Sequence, residues 1–422
     1  MTSSHRGSAE PPRHLMLRVL APFAVGYFLS YLFRTVNAVI APDLTHALGL
    51  SAADLGLLTS AYFFSFALFQ LPLGVLLDRF GARRVEAVLL LIAAAGSLVF
   101  ALSGSLAALT AGRALIGLGV SACLMAGYTA CAHWFRPAQI PAVNAIILSS
   151  GGLGALTATA PVEAALRVTD WRGLFLALAG LSVLAACVIY STVPESPRRP
   201  GHATWSAQFA GAMHIFRSSG FWRIAPAATL TQASFMAIQG LWAGPWLRDV
   251  AGLSRDGVAA YLFLIAACTF AGQLSWGIMA SRLAQRGVAP INLLRVGMGT
   301  FLIVQCGLAF QVSDLLLPLW LAFGFFGVSG SLSYPLIAQQ FPPELAGRAN
   351  TAVNLLVFVF AFAGQWAVGA IINRWPKMGE GYHPHAYVAG FGIVLAFQAL
   401  AFLWLLLFGR RAGAAAPVAG QI

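Results

Sequence analysis

Few side chains in this sequence can do chemistry, and Arg34 is the most informative of them. It stands inside an apolar run from Leu15 to Ile40. At ~1.5 Å per residue it lies ~18 Å along a helix from Pro22. Tyr27 and Tyr31 precede it at the i, i+4, i+7 spacing that puts three side chains on one helix face. A guanidinium is a planar fork of donors that suits a carboxylate or phosphate. The chemistry on offer is therefore recognition of an anion, not bond cleavage. Acids and bases inside apolar runs are scarce. Glu163 is the carboxylate read within one, near its end, and His133 stands at the end of another. A proton relay at mid-run is accordingly not expected. The one lysine, Lys377, follows Pro376, so no Walker-type phosphate loop exists. His-Glu-x-x-His, Cys-x-x-Cys and Gly-x-Ser-x-Gly elements are missing too. These residues imply no enzyme, no metal and no cofactor.

The elements that must position Arg34 follow from composition. The chain is 59% hydrophobic and 9% charged, with a mean hydropathy of +0.79. Soluble domains carry about a quarter charged residues, so the solvent here is lipid. The net charge of +12 first suggests nucleic acid. That reading fails, because the arginines sit in short loops between apolar runs rather than on one face. The five cysteines, Cys123, Cys131, Cys187, Cys268 and Cys306, fall inside apolar runs and are expected as buried free thiols.

The apolar runs number about twelve, each near the ~20 residues that cross a bilayer. Residues 1–14 read as a cytoplasmic tail, 15–193 as a six-helix bundle and 194–223 as a linker. Residues 224–408 read as a second bundle and 409–422 as a second tail. Within the linker, Trp205 to Phe216 is expected to lie as a helix on the membrane surface. The two halves repeat. Ala41-Pro42-x-Leu44 and Gly49-Leu50-Ser51 return as Gly244-Pro245-x-Leu247 and Gly252-Leu253-Ser254, at a shift of 203 residues. Gln70, Gly74 and Arg79 meet Gln273, Gly277 and Arg282 at the same shift. At a shift of 206, Tyr128, Phe135 and Asn144 meet Tyr334, Phe341 and Asn350. Duplication of a six-helix unit explains so many matches at nearly one offset.

Between the second and third runs lies Gly74-Val75-Leu76-Leu77-Asp78-Arg79-Phe80-Gly81-Ala82-Arg83-Arg84. Gly74 permits a close helix approach and Gly81 the positive φ that ends a helix. Asp78 suits a neighbouring helix N-terminus. Arg79, Arg83 and Arg84 hold the loop on the cytoplasmic side. This order resembles the signature loop of the major facilitator superfamily. The resemblance covers essentially the whole chain. Gly112-Arg113-Ala114-Leu115-Ile116-Gly117-Leu118-Gly119 resembles the family's fourth-helix motif. Phe341-Pro342-Pro343-Glu344 with Gly347-Arg348-Ala349-Asn350 resembles the loop before its eleventh helix. The matching Arg136-Pro137-Ala138-Gln139 lacks the usual acids. The Gly-Pro pair of drug antiporters is absent from Gly151-Gly152-Leu153-Gly154.

The resemblance implies an all-α fold of twelve membrane helices in two pseudo-symmetric bundles, working by alternating access. Tyr31-x-x-Arg34 followed by Ala41-Pro42 is similar to the organic-anion and organophosphate branches, where this arginine binds the substrate's carboxylate or phosphate. The alternative is an arginine that caps a structural network or snorkels outward. Arg113 reads as structural or coupling, bonding carbonyls. Gln239 is a candidate for substrate oxygens and Trp242 for a cavity wall; interhelical bonding and interfacial anchoring are equal alternatives. Tyr128, Tyr334, Asn354 and Gln365 are further cavity candidates. Gly74, Asp78, Arg79, Gly81, Arg83, Glu344 and Arg348 are expected to serve gating. The expected function is transport of a small organic anion by a monomer in the cell membrane, with no nucleic-acid partner. A polyspecific amphiphile exporter and a transporter-like solute sensor are the alternatives.

Orientation follows from the basic residues. Seventeen flank the side bearing the N-terminus, and 6 flank the other. Both termini are therefore expected in the cytoplasm. A reporter fused after Ile422 should be active only in a cytoplasmic-sensitive format; activity confined to the far side of the membrane contradicts this.

Overall fold

The computed structural model describes residues 15–136, 139–195, 205–312, 315–379 and 381–409. The expected tails, Gly409 excepted, lie outside the described residues. So do linker residues 196–204, and Pro137 and Ala138 of the fourth-to-fifth connection. Among the described residues, twelve helical passages run in order. Spans 1 to 6 cover residues 16–48, Ala52–Phe80, Ala82–Leu102, 106–134, 140–165 and Trp171–Thr192. Spans 7 to 12 cover residues 219–249, Arg255–Gln285, Pro290–Ala309, 316–338, Pro343–Ile372 and Pro384–Phe408. Among the described residues, ten helices are long and apolar enough to cross a membrane. The other two passages are spans 5 and 7. Span 5 breaks near Thr159. Span 7 is interrupted by a π turn at Ile238–Trp242 and carries Thr229, Thr231, Gln232 and Ser234.

The internal repeat has a local physical cause. Gly49 and Gly252 both take left-handed φ, 62° and 66°, which only glycine adopts without strain. The serine two residues later then caps the next helix. Ser51 Oγ accepts from Asp54 N at 3.2 Å, and the Asp54 carboxylate accepts from Ser51 N at 3.0 Å. Ser254 Oγ accepts from Gly257 N at 3.2 Å. Such caps contribute about 1 kcal/mol each. Helix breaks repeat as well. Span 1 is interrupted at Val36 and span 7 at Ile238–Trp242. Span 4 breaks around residues 120–122 and span 10 at Val328–Leu332.

The two halves meet along two seams. Spans 2 and 11 pack over their whole length. A Cβ at Gly56 would come 3.1 Å from Gln365 O, so the backbones touch there. Further along, Phe66 stacks on Phe358 with ring centroids 4.1 Å apart. At the opposite end Asp78 faces Arg348, in the second turn of span 11. The sequence leads one to expect a helix N-terminus as the donor to Asp78; the structure instead puts the charge of the Arg348 side chain near it. Spans 1 and 7 form the second seam, where Gly244 lies on the backbone of Ala38.

We call the end bearing Asp43 the outer end, following the arginine count. There the halves are tied by charge. Arg255 of span 8 donates to both Asp43 oxygens at 2.8 and 2.7 Å, and to Glu163 at 2.6 Å. Arg167 pairs with Asp256 at 2.6 Å. Glu163 is thus a member of an outer latch. Exposed ion pairs contribute roughly 0.2–1 kcal/mol each. The Arg255 fork is stronger, because its Glu163 partner is buried. The sum is small enough to be broken and remade in a cycle.

Other parts extend the fold. The linker helix, Trp205–Arg217, packs on span 11 with Ile215 fully buried, so it rests on protein at this face. Its Gly211 lies against Arg348. A two-stranded hairpin, Lys377–Met378 with Gly381–Tyr382, caps the outer end. Asp249 holds it, accepting from Tyr382 N at 2.9 Å and from the Tyr387 hydroxyl at 2.7 Å. All five cysteines are free. Only Cys123 and Cys131 are buried; Cys187 is exposed, and Cys268 and Cys306 are intermediate. The expectation of uniform burial fails because Cys187, Cys268 and Cys306 lie on helix sides that the other spans do not fully cover.

Removal of Arg255 leaves Glu163 buried without its cation. Arg255→Ala should shift the population toward an opened outer end by about tenfold, ~1–2 kcal/mol. Spin-label distances across the outer ends of spans 1 and 8 report this; an unchanged distribution contradicts it. Asp78→Asn should lower turnover at equal membrane abundance and leave affinity nearly unchanged. A turnover equal to wild type sinks that role.

Candidate functional site

Arg34 lies where the two seams converge. Its side chain is buried, at 8% exposure. The guanidinium carbon sits 4.4 Å from the Tyr31 ring centroid, 5.4 Å from that of Phe66 and 5.1 Å from that of Phe358. The first two rings belong to the N-terminal half and the third to span 11. Arg34 also reaches the Tyr62 hydroxyl, which donates to Ser30 O at 3.2 Å. Its Nε has no hydrogen-bond acceptor. Among the described residues no carboxylate pairs with it. Burial of an ion costs several kcal/mol, and each aromatic face returns ~0.5–2 kcal/mol. The rings hold the cation in place and leave a donor unspent.

Span 1 supplies the near wall because span 5 lets it come close. Tyr27 and Tyr31 meet edge to face at 5.1 Å, and their hydroxyls are bonded. A Cβ at Gly151 would come 2.6 Å from the Tyr27 ring. The glycine run of span 5 therefore seats the two tyrosines. Tyr128 of span 4 lies beside both. Tyr334 of span 10 faces Tyr31 and Arg34 from the other half and bonds Gln232. Its hydroxyl donates to Asn354 Oδ1 at 3.1 Å. Tyr31, Tyr128, Tyr334 and Asn354 are all half-buried.

Other expected residues fall elsewhere. Gln239 donates to Thr269 Oγ1 at 3.3 Å, tying span 7 to span 8. Trp242 is fully buried and donates to Gln365 O at 3.0 Å. It packs against the outer hairpin at Tyr382, so it closes the outer seam and does not wall the Arg34 space. Gln365 is fully buried and bonds Ala237 O at 3.3 Å. Arg113 is fully buried and donates to Phe33 O at 2.9 Å, bracing the residue before Arg34. In the signature loop, Gly81 has φ 78° and ends span 2. Gly74 is half-buried on that span. Arg79 lies 5.4 Å from the Phe80 ring and Arg83 4.6 Å from the Tyr190 ring. Glu344 lies in the first turn of span 11, its side chain outside the described residues.

Sequence reading missed Tyr62, Phe66, Phe358 and Gln232. It also passed over Glu86, which is fully buried in span 3. Glu86 follows Arg83-Arg84 closely and reads as the end of a charged loop. The expectation that Glu163 is the carboxylate within the spans is corrected by it.

The family model of the Major Facilitator Superfamily matches residues 23–365. A probable sulfoacetate transporter of Cupriavidus necator is 24% identical, over 83% of this chain and 85% of its own. A probable galactarate/D-glucarate transporter of Bacillus subtilis is 22% identical, over 82% and 83%. The crystal structure of the nucleoside transporter NupG superposes with a TM-score of 0.72 at 12% identity, covering 93% of this chain and 99% of that one. The last likeness is one of fold. With the family model spanning most of the sequence and the spans paired as two halves, the chain belongs to the Major Facilitator Superfamily and is a multi-pass membrane transporter, not an enzyme.

Proposed function

We propose that the solute is a small organic anion, a carboxylate, sulfonate or phosphate ester, moved by alternating access about Arg34. The observation that carries this reading is a buried guanidinium at the joint of the two halves, with rings around it and no carboxylate partner among the described residues. An anion there touches both halves at once. Span 1 offers the fork of Arg34, and spans 10 and 11 offer Tyr334 and Asn354. Relatives named for sulfoacetate and for galactarate and glucarate support the same class. The cell membrane as location, cytoplasmic termini, a monomer and a division at residues 194–223 belong to the same proposal.

The aromatic lining also suits an amphiphile, the reading of a polyspecific exporter. The two separate on one residue. With sulfoacetate and D-glucarate as probes, Arg34→Lys should bind at least about tenfold more weakly. Lysine keeps the charge but loses the fork. Arg34→Ala should bind about a hundredfold more weakly, ~2.7 kcal/mol. Equilibrium binding to purified protein measures both. Wild-type binding in both variants contradicts the anion reading, and transport of cationic amphiphiles that survives them favours the exporter.

A further inference from the structure

Glu86 is a carboxylic acid that the Arg34 site does not use. It sits four residues into span 3, ~6 Å along the helix from Ala82. Its side chain has 0% exposure. Neither carboxyl oxygen has a hydrogen-bond partner of normal geometry among the described residues. The polar group against it is the Cys123 thiol of span 4. Its other neighbour is the backbone of span 1, where a Cβ at Gly26 would come 2.6 Å from Glu86 Oε1.

The surrounding charges are engaged elsewhere. On its own span, Arg83 lies over the Tyr190 ring of span 6 and Arg84 pairs with Glu195. On span 2, Asp78 and Arg79 are exposed. On span 1, Tyr27 follows Gly26 and is bonded to Tyr31. Arg34 stands two turns further along. On span 4, Cys123 touches Glu86 and feels the Arg34 charge as well.

An ionised carboxylate in such a place costs several kcal/mol without a partner. In the outer-latched state Glu86 is therefore neutral and carries a proton. To ionise, it needs water, which a looser packing of spans 1, 3 and 4 admits. We propose that Glu86 is a reversible proton-binding site of the transport cycle, linked to Arg34 through Cys123 and the Gly26-to-Arg34 face of span 1. The sign of the linkage follows from charge. The Arg34 charge reaches Cys123, which touches Glu86, and through that contact a cation favours the carboxylate. An anion bound at Arg34 cancels that field and so favours the proton. By reciprocity the proton favours the anion. Anion and proton then move together in one direction. This coupling rests on the anion reading above; the proton site itself does not.

Two measurements keep these separate. The first is infrared difference spectroscopy of the protein in liposomes, titrated from acid to alkaline pH. Wild type and Glu163→Gln should lose a protonated-carboxyl stretch on alkalinisation. Glu86→Gln should lack it, and Glu86→Asp should restore it at a shifted frequency. The same band in wild type and Glu86→Gln overturns the proton site. The second is uptake of sulfoacetate and D-glucarate into proteoliposomes under an imposed pH gradient at clamped potential. In Glu86→Gln the ratio of gradient-driven accumulation to exchange should fall ~tenfold. An unchanged ratio overturns the linkage. If wild type exchanges neither probe, the anion reading falls, and the infrared titration still decides Glu86.

Discussion

A guanidinium held out of water at the joint between two helix bundles, with aromatic faces for neighbours, constrains the rest of this structure. Arg34 is costly where it is, and the fold spends several features on keeping it there. Arg113 fixes the carbonyl of Phe33. Tyr62 receives the guanidinium and bonds Ser30 O in turn. Phe66 and Phe358 stack across the seam and share the cation between halves. Because one of those rings comes from span 11, any motion that parts the halves uncovers Arg34. On the proposed anion reading, the solute site and the device that opens it are the same contact.

The seams differ in kind, and the difference suits a cycle. Along spans 2 and 11 the contact is dispersion and ring stacking, non-directional and tolerant of sliding. At the outer end it is ionic, built on Arg255, Asp43, Glu163, Arg167 and Asp256. Ion pairs at a wet boundary are weak and exchange readily for water. The outer latch is thus the part whose breakage costs least. At the opposite end Asp78, Arg348 and the linker helix meet. This joins the signature loop, the second half and the segment between them at one place.

Much of the fold was legible because its determinants are local. The repeated Gly-Leu-Ser triplets spell a left-handed turn and a serine cap, and both copies form. Arg34 was legible because a charge among apolar residues stands out. The cage around it was not: Phe66 and Phe358 are 2 of 30 phenylalanines, and nothing in their neighbours marks them. The outer latch was hidden by separation, since Asp43, Glu163 and Arg255 lie far apart in sequence. Trp242 was a candidate cavity wall, but the residue type and its place in the span do not give the direction of its ring, which is buried against the outer seam. Glu86 was masked by the arginines before it.

The central claim is that the cation at the joint exists to receive an anion. A thermal-shift screen of the purified protein tests it most directly, with organic acids, sulfonates, sugar phosphates and cationic amphiphiles side by side. The account predicts saturable stabilisation by members of the anionic set, absent in Arg34→Ala. Stabilisation by cationic amphiphiles alone, undiminished in Arg34→Ala, would contradict it.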